Sequence, residues 1–118
     1  MKILITGCAG FIGFHVAKSL MSKKNTIYGI DSMNSYYDKN LKTQRQKDLQ
    51  HHSKKNNFFF RFKKLDIRNG KNLNNFFKKN KIDYIVHLAA QPGVRYSLIN
   101  PKSYITNNLN GFFNILEC

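Results

Sequence analysis

The chain has 118 residues, of which 42% are hydrophobic; that is one domain's worth, enough for a single modest core and leaving no room for a second domain. Lysine and arginine outnumber aspartate and glutamate by 20 to 6, a net charge of +14, which raises nucleic acid or an anionic membrane as partners. The cations are scattered over every segment among asparagines and phenylalanines, the pattern of a solvated surface rather than a footprint, and no apolar run approaches the roughly 18 residues of a membrane span.

In chain order, Lys2 to Thr6 reads as a first strand. Gly7-x-x-Gly10-x-x-Gly13 follows directly and opens a helix predicted from about Phe11 to Lys23, with Ile12, Val16, Leu20 and Met21 at helical spacing. Three close glycines let a backbone turn sharply out of a strand, approach a pyrophosphate with no Cβ in the way, and pack the next helix on the sheet. The N–H groups at that helix start then face the anion. Thr26 to Asp31 is the second strand, and Asp31 stands 18 residues after Gly13, close to the separation of about 20 expected for a carboxylate that accepts the adenosine ribose hydroxyls. A carboxylate there repels a 2′-phosphate, so the residues themselves favour NAD over NADP.

Asn34 to Asp38 reads as a polar loop with two tyrosines, and Lys39 to His51 as a polar helix of low amphipathicity, with His51 and His52 as an exposed loop pair. The stretch Lys54 to Lys64 interleaves aromatics with bases. It has two readings: a nucleotide-stacking platform, or a strand with charged ends, which is favoured because no glycine-bearing RNA-recognition pattern accompanies it. The strand itself is predicted over Phe58 to Leu65. Asn69 caps a helix over Gly70 to Asn80 with Leu73, Phe76 and Phe77 on its buried side. Ile82 to Leu88 is a fourth strand, apolar enough to be central. Ala89 to Asn100 is a loop, and Pro101 begins a last helix that meets no stop signal. The order βαβαβαβα predicts an α/β, Rossmann-like doubly wound parallel sheet, its first half only, with strands ordered 3-2-1-4.

Cys8 and Cys118 make no metal-ligand spacing, which suits a reduced, cytoplasmic protein. Met1 to Cys8 has the outline of a lipoprotein signal, but Ile3, Leu4 and Ile5 fall short of the roughly 7 to 15 apolar residues such a signal needs.

The residues Ile3 to Gly13, then Asp31, Asp66-Ile67-Arg68 and His87-Leu88-Ala89-Ala90 resemble the NAD-dependent epimerase/dehydratase family, extended short-chain dehydrogenases acting on nucleotide sugars. Within it the resemblance is greatest to UDP-glucuronate 4-epimerases, through Gly13 to Ala17, Asn34 to Asp38 and Gln91 to Ser97. The resemblance covers essentially the whole chain. It implies that Gly7, Gly10, Phe11, Ile12 and Gly13 hold the pyrophosphate and Asp31 the ribose, that Asp66 and Ile67 flank the adenine, and that Leu88, Ala89 and Ala90 line the nicotinamide side. Asn108 is implied to steady that end of the cofactor, and Arg95 with Ser97 to meet the substrate, since a guanidinium suits a carboxylate or phosphate. Ser32, Pro92 and Cys8 depart from the family's usual residues, and Cys8 adds an oxidisable group.

The family's chemistry is implied to be oxidation of the sugar at C4 by NAD, rotation of the 4-keto sugar and re-reduction, supplying surface polysaccharide precursors. A Tyr-x-x-x-Lys pair performs the proton transfer. None of Tyr28, Tyr36, Tyr37, Tyr84, Tyr96 or Tyr104 is followed by lysine four positions later, so no catalytic residue is assigned and the isolated chain is expected to be inactive. It is read as the NAD-binding portion of such an enzyme, to be completed by a separate carboxyl-terminal half or a homodimer. The alternatives are a UDP-glucose 4-epimerase or dTDP-glucose 4,6-dehydratase type, or a non-catalytic NAD-binding remnant; a nucleic-acid binder is the least favoured. A half sheet is also expected to expose apolar surface on the fourth strand and last helix.

Overall fold

The computed structural model describes residues 1–118. Four parallel strands, β1 (Lys2–Thr6), β2 (Thr26–Asp31), β3 (Phe59–Lys64) and β4 (Tyr84–His87), form one sheet in the order β3-β2-β1-β4. The predicted half of a doubly wound fold is therefore present. Lys2 to Thr6 pair with Thr26 to Ile30 on one side, and Ile3 to Thr6 with Tyr84 to His87 on the other.

Alternation along the central strands divides the core into two layers. Leu4, Tyr28 and Ile30 pack with Leu65, Ile67, Leu73, Phe76 and Ile115 on one face. Ile3, Ile5 and Ile27 pack with Cys8, Ala17, Met21 and Leu49 on the other. The helices α1 (Phe11–Leu20) and α2 (Lys39–Asn56) supply the second layer, whereas α3 (Gly70–Asn80) and α6 (Gly111–Leu116) close the first. Sheets covered on both faces need strands apolar on both faces, as β1 and β2 are.

Several boundaries move for local reasons. Helix α1 ends at Leu20 rather than Lys23 because Asn25 Nδ2 donates to the Leu20 carbonyl at 2.9 Å, and Ser22 and Asn25 form an antiparallel bridge. Helix α2 runs past His51 to Asn56: no glycine or proline interrupts it, and it stops only where Asn57 adopts a left-handed φ of 56° and donates to the carbonyls of Ser53 and Lys54. His51 and His52 are thus helical, not a loop pair. The basic and aromatic stretch is split accordingly, its first residues closing α2. Phe58, Phe60 and Phe62 pack against the second core layer, and only Phe59 of this run faces outward.

Strand β4 is shorter than Ile82 to Leu88 and lies at a sheet edge, where Tyr84 is 58% and Ile85 38% exposed. The segment predicted as a loop contains one turn of helix, α4 (Tyr96–Ile99). Pro101 opens the last helix as predicted, but three pieces follow: α5 (Pro101–Tyr104), a π-helical segment (Ile105–Asn110) and α6, which ends at Leu116. Leu98 and Ile99 of α4 and Leu109, Phe113 and Leu116 of the last helix are exposed, so apolar surface is left open. No helix is long and apolar enough to cross a membrane.

Candidate functional site

The chain leaves β1 through Gly7, whose φ of +70° is a left-handed conformation that a side chain resists. The turn is pinned by Gly7 N–H to the Ile30 carbonyl at 2.9 Å and Gly10 N–H to the Gly7 carbonyl at 3.0 Å. A Cβ on Gly13 would sit 2.0 Å from the Gly7 carbonyl oxygen, so the start of α1 can lie on the turn only as glycine. No side chain caps α1 and no acidic residue occupies its first turn, which leaves its leading N–H groups, with their positive end-charge, directed at any anion bound there.

The turn forms one wall of a cleft of about 350 Å³ at the carboxyl ends of the strands. Gly7, Gly10, Phe11, Ile12, Gly13, Asp31, Asp66, Ile67, Leu88, Ala89 and Ala90 all line it. These residues come from four separate strand ends, and the fold brings them to one place. Asp31 is buried and held from three sides: Oδ2 accepts from Ala9 N–H at 3.1 Å, and Oδ1 accepts from Met33 N–H at 2.8 Å and from Lys42 Nζ at 3.4 Å. Its carboxylate is thereby fixed in orientation before any ligand arrives.

Burial pushes the Asp66 carboxyl upward, but hydrogen bonds from the Arg68 side chain and backbone, with the guanidinium charge, outweigh it and hold the group below the usual carboxylate range. The pair is bidentate, Arg68 Nη2 lying 2.6 Å from Oδ2. Cys8, beneath the turn, has no exposure, and burial followed by the charge of Asp31 drives its thiol far above its ordinary value. A thiol so placed stays protonated and inert.

At the carboxyl end of β1, just before the turn, Thr6 Oγ1 accepts from the N–H groups of Leu88 and Ala89, each at 3.0 Å, and lies 2.7 Å from His87 Nδ1. Ala89 crosses so near Gly7 that a Cβ there would meet its nitrogen at 2.9 Å. Burial draws the His87 imidazole below its usual value, and its ring stacks on Phe112.

Three predicted residues are placed differently. Asn108 stands behind the cleft lining: its Oδ1 accepts from Gln91 N–H at 2.7 Å and its Nδ2 donates to the Gln91 carbonyl, so it holds the loop that carries Gln91. Asn107 lines the cleft instead, its Nδ2 spent on the Ser103 carbonyl and its Oδ1 left to accept. Arg95 is exposed at the start of α4 and Ser97 donates to the Val94 carbonyl, both outside the cleft.

The sequence reading also missed Lys42, a 7% exposed lysine on α2 that pairs with Asp31 and reaches Asn34 Oδ1 at 3.3 Å. No residue pattern in a polar helix marks which lysine turns inward. Tyr36, Tyr37, Gln91 and Pro92, by contrast, belong to the two segments that carry the family resemblance, and all four line the cleft.

The family model described as GDP-mannose 4,6 dehydratase matches residues 4–118. Protein CapI of Staphylococcus aureus is 48% identical over 118 residues, covering 100% of this chain and 34% of its own length. A probable UDP-glucuronate 4-epimerase of Rhizobium meliloti is 46% identical, covering 99% and 33%. Among solved structures, the UDP-Glc/GlcNAc 4-epimerase of Campylobacter jejuni superposes with a TM-score of 0.83 at 29% identity, over 98% of this chain and 32% of that one. The UDP-glucose 4-epimerase of Stenotrophomonas maltophila with bound NAD gives 0.80 at 25%, over 99% and 32%. The chain thus spans about a third of the length of these proteins. With a glycine turn, an acidic β2 end and a family match over nearly every residue, the chain belongs to the GDP-mannose 4,6 dehydratase family, among the epimerases and dehydratases of nucleotide sugars.

Proposed function

We propose that these 118 residues are the NAD-binding portion of a nucleotide-sugar 4-epimerase whose substrate is UDP-glucuronate. One observation carries the cofactor reading: the uncapped start of α1 and the fixed carboxylate of Asp31 face one cleft. The cradle fits a dinucleotide, since glycine at position 13 lets the start of α1 lie directly on the turn and no side-chain cap or acidic residue occupies that start. The first-turn N–H groups of α1 hold the pyrophosphate, Asp31 accepts from the adenosine ribose, and Asp66 with Ile67 borders the base. Leu88, Ala89 and Ala90 wall the nicotinamide side, where Asn107 offers an acceptor. NAD, when bound, supplies the hydride acceptor and donor at the sugar C4. The NAD-bound UDP-glucose 4-epimerase that superposes on this chain supports the same assignment.

The substrate reading rests on the Rhizobium relative and on the segments Asn34 to Asp38 and Gln91 to Ser97. UDP-glucose is the second reading, supported by the two 4-epimerase structures. Neither chemistry has its Tyr-x-x-x-Lys pair within residues 1–118, so we expect no turnover of either sugar by these residues alone. Calorimetric titration of NAD tests the binding site. Asp31→Ala should weaken NAD by about ten- to a hundredfold, the value of a charge-assisted hydrogen-bond pair, and NADP should bind the parent chain more weakly than NAD. Equal NAD affinity in parent and variant would overturn the assignment.

A further inference from the structure

The donors around Thr6 do not balance unless one proton is placed in one way. A hydroxyl has one hydrogen to give and two lone pairs to accept with. Both lone pairs of Thr6 Oγ1 are taken by the N–H groups of Leu88 and Ala89, so its hydrogen points at His87 Nδ1, 2.7 Å away. Neutral His87 must then carry its proton on Nε2 and accept through Nδ1. If the ring becomes a cation, Nδ1–H turns into a third donor aimed at an oxygen whose acceptor sites are already filled, and one of the three must let go; Leu88 N–H also reaches the Thr6 carbonyl at 3.3 Å, so Ala89 N–H is the amide that depends on this oxygen alone.

We propose that Thr6 and His87 form a pH-sensitive latch that fastens the Leu88–Ala89 wall of the cleft to the glycine turn and releases it when His87 is protonated. The two are positioning residues, acting on the cleft through the backbone of Leu88 and Ala89. Thr6 and His87 are register partners across β1 and β4, so the latch closes the last rung of the ladder. Fully buried Thr6 has no water to restore a lost bond. The ring stacks on Phe112 of α6 at 5.5 Å and 18° and faces Thr6 of β1; burial, with no charged neighbour among its causes, lowers its titration and keeps the neutral form favoured.

The linkage has a definite sign. A histidine that is harder to protonate folded than unfolded contributes stability that is fully present above the ordinary imidazole value of about 6.5. That stability is lost as pH falls from there towards the lower folded value, because the unfolded chain binds the proton first. The loosening is local, foremost at the Ala89 amide, which has the Thr6 hydroxyl oxygen as its acceptor.

The latch stands apart from the cofactor reading, and its test uses the ligand-free chain. Long-range proton–nitrogen NMR at about pH 8 should show His87 protonated on Nε2 with Nδ1 a bare acceptor. On acidification the exchange protection of the Ala89 amide should fall about tenfold, the loss of one hydrogen bond, with the midpoint of His87 itself, while Ile3 and Ile5 keep theirs and Leu88, with the Thr6 carbonyl as a second acceptor, falls less. In His87→Asn, whose amide oxygen accepts without titrating, the fall should disappear. A proton on Nδ1 at neutrality, or protection at Ala89 that ignores His87, overturns the latch on the parent chain alone. Acid loosening that persists in His87→Asn would do so as well.

Discussion

At the scale of single residues, two glycines that look alike in the sequence are held by different obstacles. A Cβ at Gly13 meets the Gly7 carbonyl, which is backbone. A Cβ at Gly29 would come 2.7 Å from Cys8 Sγ and 3.0 Å from the Phe60 ring, which are side chains. Gly29→Ala should therefore cost about 1–3 kcal/mol as overpacking, and adding Cys8→Ala should recover part of that. Denaturant unfolding of the two single variants and the double variant checks the coupling; strict additivity would show that the sulfur is not the obstacle. The glycine turn and Asp31 were legible because their function imposes a spacing along the chain. Lys42 and Asn107 were not, because each reaches the cleft by tertiary placement: one from a long polar helix, the other from a π-helical segment that shifts which asparagine faces inward.

At the scale of elements, strand and helix order could be read from period alone, and the ends were settled by hydrogen bonds that periodicity does not see. Helix α3 is the exception. Its cap was legible because Asn69 is followed by an amphipathic run, and Asn69 Oδ1 does accept from Asn72 N–H at 3.1 Å. Asn69→Ala should cost about 1 kcal/mol, and Asn69→Asp should retain most of the stability, both measured by thermal unfolding; no loss in the alanine variant would mean the cap is redundant. Nothing in Ile105-Thr106-Asn107-Asn108-Leu109-Asn110 marks the π-helical turn, because one extra residue per turn is imposed by what the flanks must reach. Here those flanks are Gln91 on one side, gripped by Asn108, and Ile67 on the other, against which Gly111 packs.

At the scale of the whole molecule, the edge position of β4 and the bare apolar face of the last helix were anticipated from a sheet read as half of a larger one. The length of the relatives agrees with that reading. Charge is the other global property. Five of the six acidic side chains are committed to local duties: Asp31 at the turn, Asp38 capping α2, Asp48 accepting from Gln44, Asp66 paired with Arg68, and Asp83 accepting from Lys2 N–H at 2.8 Å. Only two ion pairs result, against 20 cations. Self-repulsion among exposed cations should therefore outweigh attraction, so the melting temperature should rise as sodium chloride screens it; a fall would mean that attractive pairs dominate. The carboxylates of this chain are fasteners rather than counter-ions, and its electroneutrality is consequently outsourced. Whatever small or polymeric anions the surroundings provide become part of the folded particle, so its effective size, mobility and solubility are properties of the medium as much as of the polypeptide.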